Sequence, residues 1–68
     1  MDLEAGKELM EGAAEVNEHL GTLTMLVEAV EDEALRLNIK RELGFVMAKI
    51  YTRLMMPVLR EHPQLGNV

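Results

Sequence analysis

Leu9, Ala13, Val16, Leu20, Leu23, Val27, Val30, Ala34 and Leu37 follow one another in alternating steps of four and three residues, the spacing of a seam along one side of a helix. A second stripe, Ile39, Leu43, Val46, Ile50, Leu54 and Val58, joined by Met47 and Tyr51, is also helical in period. The two stripes are out of phase. Carrying the first past Leu37 would turn Arg41 and Gly44 inward, so one straight helix cannot bury both against one partner. The chain must turn back near its middle.

The acidic triplet Glu31, Asp32 and Glu33 is the preferred place for that turn. Asp32 can accept hydrogen bonds from the free amides of a new helix, and Glu33 in its first turn favours the positive end of the dipole. Two antiparallel helices follow, spanning about residues 3–30 and 33–61. A rival break at Asn38 would keep the first seam whole. A third, at Gly21, would make three short helices, but the heptad runs through Gly21 without a change of phase. Pro63 ends the second helix, since the residue before a proline avoids helical geometry. The hairpin domain is thus expected over 1–62, with an irregular tail over 63–68. Pro57 deprives the Arg53 carbonyl of its helical partner, which predicts a kink. Gly6 and Gly12 are open to two readings: tolerance near a frayed end, or, together with Ala13, close approach of another backbone.

A chain of 68 residues makes one domain at most, and domains of this size bury only about 60% of the surface their unfolded chains expose. Cysteine is absent, so neither a disulfide nor a Cys/His zinc cluster can compensate, which leaves oligomerisation. The expected fold is therefore all-α, a two-helix hairpin dimerising into a four-helix bundle. The core of each hairpin is expected from Leu9, Val16, Leu20, Leu23, Val27 and Val30 on the first helix, and Ile39, Leu43, Val46, Ile50 and Leu54 on the second.

Charge divides the chain. Residues 1–33 carry ten acids and one base, Lys7, for a net of −9; residues 34–68 carry six bases and two acids, for a net of +4. The plain reading sets an acidic first helix beside a basic second one, within a chain and across a dimer, with pairs worth well under ~1 kcal/mol each that bias orientation. The sharper reading gives the second helix a basic face for an anionic partner, at Arg41, Phe45, Lys49, Arg53 and Met56. Phe45 and Met56 on that polar arc are either stray exposed residues or part of a contact. An overall charge of −5 works against general nucleic-acid binding.

No catalytic constellation is legible. There is no cysteine or serine nucleophile, no glycine-rich phosphate loop, and neither His19 nor His62 has a glutamate three residues before it. The expectation is no enzyme, no cofactor and no metal site. The acidic start, MDLEAGKELMEG, lacks the basic and apolar regions of a secretory signal, and no uncharged apolar stretch reaches ~18 residues. A cytoplasmic protein that does not enter membranes is expected. The sequence thus reads as a non-catalytic, homodimeric interaction or regulatory module. The alternatives are a binding protein that uses the basic face for an anionic protein or RNA, and an antitoxin or immunity-type protein that uses the acidic first helix.

Overall fold

In the computed structural model, described over residues 1–66, the chain is an all-helical hairpin with no strand among those residues. Helix α1 spans Leu3–Leu26 and tightens into a 3-10 turn at Val27–Ala29. After a short extended link comes α2, Glu33–Ile50, continued by a π-helical segment at Tyr51–Met55 and by α3, Met56–Glu61. The last three form one rod antiparallel to α1.

The ends of these helices follow from their caps. Asp2 is extended and its Oδ1 accepts from the Ala5 amide at 2.7 Å, closing the start of α1. Asp32 does the same for α2, accepting from the Leu35 amide at 3.1 Å, with Glu33 in the first turn. The turn therefore lies at the acidic triplet, and both Gly21 and Asn38 sit within unbroken helix. Two cations brace it: Arg36 donates from Nη1 to the Val30 carbonyl at 2.8 Å, and Lys40 pairs with Glu28.

Pro57 acts one turn upstream of itself. The amide of Met56 reaches back to the Tyr51 carbonyl, a five-residue step, so the rod takes in one extra residue before the proline. At the site of the expected kink, the rod carries a π segment. The stretch expected as an irregular tail forms a 3-10 turn at Pro63–Gly66, and the remainder of that expectation, residues 67 and 68, lies outside the described residues.

The seam between the rods differs from the expected core. On α1 the shielded positions are Gly6, Met10, Ala13, Asn17, Leu20, Thr24 and Val27, also in steps of four and three but displaced toward small and polar residues. Facing them are Arg36, Lys40, Leu43, Met47, Ile50, Met55, Val58 and His62. Of the expected core only Val27 is buried. Leu20, Val30, Ile39, Leu43 and Ile50 are half-buried, while Leu9, Val16, Leu23, Val46 and Leu54 are exposed. Leu54 is displaced for a definite reason: the extra residue of the π segment rotates everything beyond it by about 100°, so Met55 takes the inward position.

At the open end side chains of the second rod and of the final turn crowd against Gly6. A Cβ on Gly6 would stand 3.2 Å from both Val58 Cγ1 and His62 Cδ2 and 3.3 Å from Leu65 Cδ1. Val58 is the most deeply buried side chain, at 2% exposure. Gly6 and Ala13 are buried, Gly6 against side chains and not against another backbone, whereas Gly12 is exposed with nothing within 4 Å of its would-be Cβ. Thermal melts should separate these roles. Gly21→Ala, at a site with open space, should raise Tm by about 4–8 °C for up to ~1 kcal/mol of helix propensity. Gly6→Leu should lower stability by roughly 1–3 kcal/mol through overpacking.

Candidate interaction faces

Eight leucine and valine side chains remain between 44% and 56% exposed, and six of them, Leu9, Val16, Leu23, Leu35, Val46 and Leu54, share one face, while Leu3 and Leu37 lie off it. At about 100° per residue, Leu9, Val16 and Leu23 lie about 80° to one side of the α1 seam line. Leu35, Ile39 and Val46 lie about 80° to the same rotational side of the α2 seam line. Since the two rods run antiparallel, equal rotations in the same sense bring both rows onto one face of the hairpin. Leu54, turned by the π segment, joins that face. The half-buried Leu20, Ile39 and Ile50 form its floor.

The basic set resolves differently. Arg41, Phe45, Lys49 and Arg53 are all exposed and recur in steps of four along the outer side of the second rod, away from α1. Arg41 donates from Nη2 to Asn38 Oδ1 at 2.7 Å, which holds one end of this strip. Met56 is half-buried, because the π segment rotates it away from the strip. Four of the five expected residues thus share a surface and the fifth does not.

The remaining side of the hairpin holds a cleft of about 480 Å³ near the open end, with Met10, Ala14, Met55 and Leu65 among its walls beside Lys7 and Glu11. It is mainly apolar. Among the described residues no three His, Cys, Asp or Glu side chains converge as metal ligands, and no helix is long and apolar enough to cross a membrane. His19 is exposed; His62 is half-buried with Nε2 2.9 Å from the Met1 carbonyl oxygen. Beside it the Glu61 carboxylate accepts from the terminal ammonium of Met1 at 2.8 Å. That hydrogen bond and the attraction of the charges hold Glu61 below the usual carboxylate range and raise the ammonium above its own.

Asn17 is the polar residue that the sequence reading missed. It stands in the seam with Nδ2 4.0 Å from Met55 Sδ, and its buried Oδ1 has no partner among the described residues. Its signal was available as the one amide in the Gly6-to-Val27 series of four-and-three steps. Thr24, the other polar member, returns its hydroxyl to the Leu20 carbonyl at 3.0 Å and so leaves nothing unpaired.

Compared with protein-family models, curated proteins and solved structures, the chain matches none.

The turn has a pH signature. The hydrogen bond and charge of Lys40 hold the Glu28 carboxyl below its ordinary value, with a smaller contribution from Arg36. A depressed folded-state pKa gives stability that is present above the unfolded value and lost as pH falls through the folded one. Glu28→Gln should therefore melt slightly below the wild type at pH 7, and the two should converge once the pH lies below both carboxyl pKa values. Melts recorded by circular dichroism across that range test it.

Proposed function

We propose that this chain is a non-catalytic interaction module that acts as a homodimer, two hairpins packed through their apolar faces into a four-helix bundle. The observation that carries this reading is the row of six half-exposed aliphatic side chains on one face. Within the hairpin's own seam only Ala13, Val27 and Val58 are buried apolar side chains.

Two global quantities support it. A compact monomer of 7.7 kDa is expected to expose roughly 4,300 Å², and the hairpin exposes 5182 Å². The excess, roughly 900 Å², is close to the ~800 Å² that each partner hides in a standard interface. The radius of gyration is 14.8 Å, against about 11 Å for a compact domain of this length. A slab 46 Å long and 17 by 16 Å across has the proportions of half a bundle. Identity of partner is the most economical solution, because the chain supplies complementary charge on its two rods.

Sedimentation equilibrium from about 1 to 200 μM should give a dimer mass with full helicity. Val16→Asp, which buries an unpaired charge only in the dimer, should reduce the mass toward that of a monomer and lower helicity with it. A folded wild-type monomer throughout that range would overturn the proposal.

A second reading is favoured by the strip Arg41, Phe45, Lys49 and Arg53, which faces away from α1 and stays exposed. On that reading the dimer docks an anionic protein or RNA there. Lys49→Glu/Arg53→Glu should then abolish capture of an anionic partner at unchanged oligomer mass. A fall in mass would mark these residues as a subunit contact.

A further inference from the structure

We infer that the two-fold axis of the dimer runs along the length of the hairpin, so that both turns lie at the same end and α1 of each copy packs against the second rod of the other. The inference rests on the homodimer reading and adds the orientation of its partner.

Two face-to-face arrangements bury the same apolar surface. In one, the axis is parallel to the rods, and α1 lies over the partner's α2, π segment and α3. In the other, the axis is perpendicular to the rods and in the plane of the interface, so α1 lies over the partner's α1 with the turns at opposite ends. Burial of Leu9, Val16, Leu23, Val46 and Leu54 does not separate them. The charges along the outer edge of the face do.

At about 100° per residue, Glu8 and Glu15 lie on the outer side of α1, one residue step beyond its aliphatic row, and Lys49 and Arg53 lie on the outer side of the second rod, so that in a dimer these four exposed side chains flank the interface on the same side. The level of each along the hairpin is set by three crossings: Glu28 with Lys40, Asn17 with Met55, and Gly6 with Val58 and His62. These put Glu15 within about one turn of the level of Arg53. With the axis along the rods, the partner's Arg53 therefore comes over Glu15, and Glu15 of the partner over Arg53. With the axis across them, Glu15 faces the partner's Glu15, since it lies near the middle of α1, and Lys49 near the middle of its rod faces the partner's Lys49. The first arrangement pairs opposite charges twice; the second opposes like charges on both edges, which disfavours it.

The arrangement also decides between the two functional readings. With the turns at one end, the strips bearing Arg41 and Phe45 lie on opposite flanks, each beside the partner's acidic α1. The other arrangement would fuse the strips into one continuous basic side suited to a large polyanion.

Glu31 lies in the turn and is exposed, and the chain has no cysteine, so Glu31→Cys takes a single spin label. Pulsed dipolar spectroscopy on the labelled dimer should give a distance of about 20–30 Å, from two helix layers ~10 Å apart plus the label arms. A distance near or beyond the 46 Å length of the hairpin, at dimer mass, overturns the inference and leaves the homodimer standing. A monomer mass with no dipolar coupling overturns both. Charge exchange gives an independent reading. Glu15→Arg should weaken dimerisation about five-fold, and adding Arg53→Glu should restore it to within about two-fold. Glu15→Gln, which removes the charge from both copies, should also weaken dimerisation; tighter dimerisation by Glu15→Gln would show Glu15 facing its own copy and overturn the arrangement.

Discussion

The packing of second-rod side chains against Gly6 of α1 governs the rest of the structure. With only hydrogen on Gly6 Cα and a methyl on Ala13, Val58 can fill the space between the rods and become almost wholly buried. The same smallness limits what the seam can contribute, since a hairpin joined over glycine, alanine, asparagine and threonine removes little apolar surface from water. The large aliphatic residues are then displaced to the neighbouring face. Close packing within the hairpin and an exposed apolar slab beside it are therefore two consequences of one choice of residues.

The π segment keeps that arrangement in register. Proline at 57 cannot donate to the ladder, and a plain α-helix through it would leave Arg53 unsatisfied and turn Leu54 toward α1. One added residue does not replace the missing donor, but it brings Met55 inward. A flexible thioether suits a site opposite an asparagine, because it fills irregular space and its sulfur is a weak acceptor. The added residue also returns Val58 and His62 to the seam, in phase with Gly6. Without that correction the packing against Gly6 at the open end would be lost.

Much of the hairpin was legible in the sequence. The Asp32 cap, the end at Pro63 and the disturbance before Pro57 each rest on a local rule that the backbone obeys. The assignment of the core was displaced because large apolar residues were taken to mark the intramolecular seam. In α1 two four-and-three series share Ala13, Leu20 and Val27, and they differ in Leu9, Val16 and Leu23 against Gly6, Met10, Asn17 and Thr24. Hydrophobicity alone favours the first series, and only the space available between the rods selects the second. The basic strip was legible as far as Arg53 and not at Met56, since a single inserted residue changes the phase beyond it and leaves no mark in composition.

Asn17 adds a reason for such a division of labour between faces. An amide with one unpaired buried oxygen costs stability in the hairpin seam, yet a polar group on one seam and none on the exposed face makes the two surfaces unlike. Surfaces of different character are hard to exchange: an aliphatic row brought against this seam offers Asn17 no hydrogen-bond partner, while the apolar face gains most from another apolar face. In the proposed bundle, the small polar seam closes the hairpin on itself and the aliphatic face is reserved for the second copy. Dimerisation then supplies the burial that the seam lacks, so the stability of the fold rises with protein concentration by mass action. If the proposed bundle forms, order in the hairpin would therefore follow protein concentration.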